Sequence, residues 1–139
     1  MKHFFALGAI LAGLSVMAGA FGAHALKSRI EPDLLAIFET AARYQIYHAL
    51  GLILIALIRE PSTLIGVAGW LFFAGILIFS GSLYILSLSG IRWLGAITPI
   101  GGLAFIIGWL CLAIGFKGCL LYTSPSPRDQ RGSGVPACA

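Results

Sequence analysis

Four long apolar runs, separated by short polar punctuation, account for most of the chain. The first, 4–25, is long enough to cross a hydrocarbon core of about 30 Å at roughly 1.5 Å rise per residue. The densest charge follows, in 27–43. There Pro32 suits the first turn of a helix, where a missing N–H is no loss. Leu34, Leu35, Phe38, Ala41 and Ala42 then fall on one helix face, and Glu39 and Arg43 sit four apart on another, acid first. The pattern predicts an amphipathic lead-in over 32–42 that runs on into a second span, 41–58. This span stops at Arg59-Glu60-Pro61, because the residue before proline disfavours helix. A third span, 63–88, ends at Ser89-Gly90. A fourth, 93–116, opens at Arg92-Trp93, where an aromatic suits the membrane boundary, and ends at Lys117. The short links between spans two and three, and three and four, make those helices antiparallel neighbours. The predicted fold class is therefore an all-α membrane protein, a four-helix up-down-up-down transmembrane bundle over residues 1–117.

Apolar side chains gain little by leaving lipid for a neighbouring helix, so close approach at small residues carries association. On the first span the pairs Ala9/Gly13, Ser15/Gly19 and Gly19/Ala23 are spaced four apart; on the fourth, Gly101, Gly108 and Gly115 recur every seven. Both sets are expected at helix contacts. Beyond Lys117 the character changes. The stretch Thr123-Ser124-Pro125-Ser126-Pro127-Arg128-Asp129-Gln130-Arg131 is polar, Pro-rich and non-periodic, so 118–139 is expected to be a disordered tail. It resembles a translated sequencing-adapter read-through, and on that reading the natural C-terminus is expected near Lys117. Finding the tail encoded at the genomic locus would refute that reading.

Composition excludes the soluble alternative. Hydrophobic residues make up 59% of the chain and charged residues 10%, against about 25% charged in ordinary globular domains. Four amphipathic helices in water would each need a polar face. The net charge of +4 comes from singly scattered bases with no basic stripe, so no nucleic-acid partner is expected. Cys111, Cys119 and Cys138 make no C-x-x-C motif, and no zinc or redox site follows from them. The first run exceeds the roughly 7–15 residues of a secretory h-region, so it is expected to stay as a span although Ala23-His24-Ala25 has the form of a cleavage site.

Polar residues within the spans are the functional candidates, since polarity there is costly. They are His24 at the end of span one; Arg43, Tyr44, Gln45, Tyr47 and His48 at the start of span two; Ser80, Ser82 and Tyr84 in span three; and Thr98, beside Pro99, in span four. In the predicted topology all lie in the same half of the membrane, and the other half is nearly pure aliphatic and aromatic. Tyr44/His48, Arg43/Tyr47 and Ser80/Tyr84 each share a helix face. Thr98-Pro99 is expected to kink the fourth span, the threonine hydroxyl satisfying a carbonyl freed by proline. Four readings compete: mutual hydrogen bonding that locks the bundle; a vestibule for a small molecule, ion or lipid headgroup; a metal site at His24 and His48 with Glu39; and enzyme chemistry. Two histidines without fixed spacing are a weak ligand signal, and no nucleophile–base–orienter arrangement can be argued from separate helices. No metal, cofactor or catalytic residue is therefore assigned.

Four segments resemble one family. Gly19-Ala20-Phe21-Gly22-Ala23-His24-Ala25-Leu26-Lys27, Arg43-Tyr44-Gln45-Ile46-Tyr47-His48-Ala49-Leu50, Phe79-Ser80-Gly81-Ser82-Leu83-Tyr84 and Leu94-Gly95-Ala96-Ile97-Thr98-Pro99-Ile100-Gly101-Gly102 are similar, in order, to the YgdD/YwdK-like small multi-pass membrane proteins, domain of unknown function 423. The resemblance extends from Met1 to about Lys117 and implies a multi-pass protein of the bacterial cytoplasmic (inner) membrane. It implies no catalytic residues, and it counts against signal cleavage. The expected role is that of a non-enzymatic accessory or structural membrane protein, with the lipid bilayer, other membrane proteins or further copies of itself as partners. The alternative is an oligomeric small-solute or ion transporter subunit with a one-sided polar vestibule. Basic residues are nearly balanced across the membrane, Lys2, Arg59 and Lys117 against Lys27, Arg29, Arg92 and Arg43, and both termini are expected in the cytoplasm.

Overall fold

The computed structural model describes residues 2–58 and 62–122, and side chains through Phe116. All regular structure among them is helical. Helix α1, Lys2–Phe21, runs on through a π-helical turn, Gly22–Leu26. Helix α2, Pro32–Ala56, begins with proline at its first position behind an extended Glu31, and Asp33 in the first turn complements the helix dipole. Helix α3, Thr63–Gly75, leads through a second π-helical turn, Ile76–Ser80, into α4, Gly81–Ser89. Gly90 ends α4 at φ 72°, where a side chain would strain the backbone, and its N–H caps the Leu86 carbonyl at 2.8 Å. A 3₁₀ turn, Arg92–Ala96, precedes α5, Thr98–Tyr122.

Among the described residues, three stretches are long and apolar enough to cross a membrane: Lys2–Leu26, Thr63–Ser89 and Arg92–Phe116. Helix α2 is not one of them, because it carries Asp33, Glu39, Arg43, Gln45 and His48. Its 25 residues are nevertheless unbroken, so the amphipathic lead-in and the following apolar run form one helix about 37 Å long. The outer surface is apolar almost everywhere: Ile10, Val16, Met17, Leu54, Leu57, Ile85, Ile106 and Ile114 are all exposed. Continuous apolar surface on this scale calls for lipid rather than water as solvent.

Helix α1 packs on α2, α2 on α3 and α4, and α3 on α5; α1 and α5 are not a packed pair. The second and third helical segments therefore form the centre, with α1 and α5 outside. Contacts along each pair run in opposite order. On α1 and α2 they pass from Gly8 near Ala49, through Ser15 at Ala42, to Gly22 at Phe38. On the third and fifth helices they pass from Ile65 at Gly115, through Phe72 at Gly108, to Phe79 at Gly101. The buried positions Phe4, Gly8 and Ser15 on α1 with Gly22 just after it, and Gly101, Phe105, Gly108 and Gly115 on α5, follow a heptad pattern. That spacing suits a left-handed seam at a small crossing angle. The apolar core, Phe4, Leu52, Ile55, Ile65, Ala68, Phe72, Ile76 and Phe105, fills the half away from the 27–31 and 90–97 connections.

Three local expectations change. The small-residue seam of α5 lies at Gly101, Gly108 and Gly115, but that of α1 uses Gly8, Ser15 and Gly22; Gly13 and Gly19 face open space. Pro99 lies in the first turn of α5, where no intrahelical bond needs its N–H, rather than inside a continuous span. The backbone of 118–122 is helical, where a disordered tail was expected to begin; Cys119-Leu120-Leu121-Tyr122 contains no breaker. The stop expected at Arg59-Glu60-Pro61 and the tail from Thr123 lie outside the described residues.

Candidate functional site

The polar side chains of the interior meet in separate contacts, each joining two or three helices. Gln45 is the most connected. Its Nε2 donates to the Leu11 carbonyl of α1 at 2.8 Å, and its Oε1 accepts the Tyr84 hydroxyl of α4 at 3.0 Å. One amide thus ties three helices together. A turn away, the Ser15 hydroxyl donates to the Ala42 carbonyl at 2.7 Å. Such a bond needs the two backbones close, which the small residues of the α1 seam permit.

The second contact is at the mouth of α5. Ser82 Oγ lies 3.0 Å from the Phe79 carbonyl and 3.2 Å from Thr98 Oγ1. Ser82 can donate to only one of them. With its proton on the Phe79 carbonyl, it accepts from the threonine, and α4 and α5 are joined just where the 3₁₀ turn ends.

His48 makes the third contact. Its Nδ1 lies 2.7 Å from the Tyr44 carbonyl, which can only accept, and its Nε2 lies 3.2 Å from the Trp109 indole nitrogen, which can only donate. The partners therefore dictate the neutral Nδ1–H tautomer with both nitrogens occupied. The ring stacks on Phe105 with centroids 3.4 Å apart at 8°, and meets the edge of Phe72 at 5.4 Å and 64°. A metal at His48 would have to displace the tryptophan. His24 and Glu39 are exposed, and no cluster of three potential metal ligands occurs among the described residues.

The structure thus brings Gln45 to Tyr84 and Ser82 to Thr98, and buries His48 between α2 and α5. It does not bring in His24 or Arg43, which lie on the outer surface, nor Tyr47. Tyr44 is half-exposed and contributes its backbone carbonyl and a ring packed on Phe79. Ser80 is buried in the π-helical turn, and its hydroxyl has no hydrogen-bond partner among the described residues. Sequence reasoning passed over Ser15, except as a small residue, and Trp109. A serine inside an otherwise apolar helix, and an indole N–H far from the interface, each demand a partner and were the available signals.

Beside His48 the surface is hollow. A cavity of about 550 Å³ is lined by Tyr44, Tyr47, His48, Phe79, Gly102, Phe105, Ile106 and Trp109. Its walls are aromatic and aliphatic. The paired polar groups Gln45, Tyr84, Ser82 and Thr98 do not line it.

Comparison with known proteins gives one consistent answer. The family described as Protein of unknown function (DUF423) matches residues 18–102, which include every sequence-derived candidate but not Ser15 or Trp109. A UPF0382 membrane protein of Staphylococcus haemolyticus is 53% identical over 115 residues, covering 82% of this chain and 94% of that protein. One of Staphylococcus saprophyticus is 52% identical over 116 residues, covering 83% and 97%. The UPF0382 membrane protein YwdK of Bacillus subtilis is 52% identical over 117 residues, covering 82% and 95%. No solved structure matches.

Proposed function

The chain belongs to the DUF423 family of membrane proteins, and on that premise we propose that it is a non-enzymatic accessory protein of the bacterial cytoplasmic membrane. All four helical segments cross the bilayer, up-down-up-down, with both termini in the cytoplasm. In this arrangement α2 projects its charged first turns from the membrane, and Arg43 snorkels to the interface. Helices α1 and α5 remain outermost and offer their faces to lipid or to other membrane proteins.

One observation carries the accessory reading over the transporter reading. Apart from Ser80, the inward polar candidates are consumed in pairs, Gln45 with Tyr84 and Leu11, Ser82 with Thr98, His48 with Trp109. A permeation path needs polar groups that face a common channel and are free to exchange partners with the solute. Mutual pairing serves instead to fix which helix meets which. Interhelical bonds of this kind average about 0.6 kcal/mol, so the set contributes more to specificity than to total stability.

Flux measurement tests the reading. The purified protein, reconstituted into sealed vesicles at several copies per vesicle, should leave a proton gradient and a potassium diffusion potential as long-lived as in empty vesicles. Faster dissipation that scales with protein content, and that changes in Gln45→Leu, would overturn it. Reporter fusions after Lys117 and within the 27–31 segment test the orientation; an exported reporter at Lys117 contradicts the assignment.

A further inference from the structure

Helices α2 and α5 are neighbours without being a packed pair. His48 reaches across, through its bond to Trp109 and its stack on Phe105, and the Tyr44 ring lies 6.4 Å from that of Phe105. Part of the gap that remains is the cavity of about 550 Å³, a size typical of ligand sites, which run from roughly 300 to 1,000 Å³. Its mouth is formed by Tyr44, Tyr47, Ile106 and Trp109, which are 39%, 53%, 60% and 42% exposed. These residues face outwards in a protein whose surface is apolar, so the cavity opens sideways into hydrocarbon. Beyond the Trp109–His48 pair a second hollow of about 400 Å³ continues between the same helices, lined by Leu54, Ile58, Trp109, Leu112, Ala113 and Phe116.

The depth and the rim identify the occupant. From Gly102 to Trp109 the groove descends about 10 Å along α5, within the ~15 Å of one leaflet. At the polar end of the groove stand two tyrosines, residues that favour the headgroup level. One turn beyond Tyr47, on the same side of α2, is Arg43, exposed and with no place in the interior network. Helical side chains lean towards the N-terminus, which directs this guanidinium away from the apolar groove and towards the membrane surface. A fork of guanidinium N–H donors fits a phosphate. A zwitterionic headgroup would bring a second cation against Arg43, and an anionic one does not. Glu39, one further turn out, is the opposing charge at this rim.

We propose that the α2–α5 groove is a binding site for an anionic phospholipid of the bilayer, one acyl chain lying against Phe79, Phe105 and Trp109 and the phosphate held by Arg43. The site requires α2 and α5 to be embedded in lipid and does not depend on the accessory reading.

The test uses the full chain with Trp70→Phe and Trp93→Phe, leaving Trp109 as the sole indole. It is reconstituted into vesicles of phosphatidylglycerol and phosphatidylcholine in which one lipid at a time carries brominated chains, which quench tryptophan on contact. Brominated phosphatidylglycerol should out-compete the choline lipid at Trp109 by roughly fivefold, the effect of one basic residue near an anionic surface. Arg43→Gln should bring that ratio to about one, and Glu39→Gln should raise it. Gly102→Leu should reduce quenching by both lipids, because a side chain there meets only ordinary contact with Phe79 and grows into the groove. The two variants at exposed positions leave the packed interior untouched. A ratio of one in the parent chain, a ratio unchanged by Arg43→Gln, or a Trp109 quenched by neither lipid would overturn the proposal. The last result would mean that a second copy or another protein fills the groove.

Discussion

Gly101 and Gly102 are adjacent on α5, and substituting alanine at each should give different results. A methyl at Gly101 would sit 2.5 Å from the Phe79 backbone nitrogen and 2.8 Å from its Cβ. Neither atom belongs to a flexible chain end. Restoring an ordinary 3.4 Å contact means parting α5 from the third helical segment by about 0.9 Å at that level. The displacement would loosen the seam that continues through Gly108 and Gly115. Overpacking of this kind costs about 1–3 kcal/mol. A methyl at Gly102 would lie 3.8 Å from the Phe79 ring, an ordinary contact. Both replacements gain about 1 kcal/mol of helix propensity, so this term cancels when the two are compared. Gly101→Ala should therefore be less stable than Gly102→Ala by about 1–3 kcal/mol. Reversible unfolding in mixed micelles, followed by circular dichroism, measures the difference. Equal stabilities would refute the heptad seam assigned to α5.

Three further outcomes follow from the polar contacts and the turn. Gln45→Leu removes both interhelical bonds of the amide and should cost about 1 kcal/mol, and Tyr84→Phe about half of that; a double-mutant cycle on the same unfolding assay should show coupling between them, and strict additivity would separate the pair. Ser15→Ala should destabilise by about 0.6 kcal/mol, whereas Ser80→Ala should be neutral or stabilising, because it removes a buried hydroxyl that has no partner among the described residues. Gly90→Ala should cost about 1–2 kcal/mol from its left-handed backbone and lower the melting temperature; no change would mean that the αL cap at this position is not needed.

The run pattern exposed the helical segments, because lipid-facing surface makes whole helices apolar. That same uniformity hid their rotation. Helix α1 and the turn that follows it have glycines at 8, 13, 19 and 22, and nothing in an all-apolar helix says which face meets a partner. Spacing of four pointed to Gly13 and Gly19, while the contact face of α2 selected Gly8, Ser15 and Gly22. On α5 the seven-residue recurrence of Gly101, Gly108 and Gly115 left less choice. The candidate site was legible in kind but not in pairing. Gln45, Ser82, Tyr84 and Thr98 were recognisable as costly polar residues, yet Gln45 bonds to a backbone carbonyl and His48 to an indole, and neither partner is marked by residue type as polar. His24 and Arg43 share the polar end of their helices with the others, but the outer surface there is close enough to the interface for them to remain outside.

The central claim is that α2 crosses the bilayer although its first half is charged. Single cysteines at Arg29, Glu60 and Arg92, in a cysteine-free background, test it directly. Labelling with a membrane-impermeant maleimide is compared in right-side-out and inverted vesicles. Four spans place 29 and 92 on one side and 60 on the other. Labelling of 29 and 60 from the same side, with 92 opposite, would mean that only α1, the third segment and α5 cross, and would contradict the account.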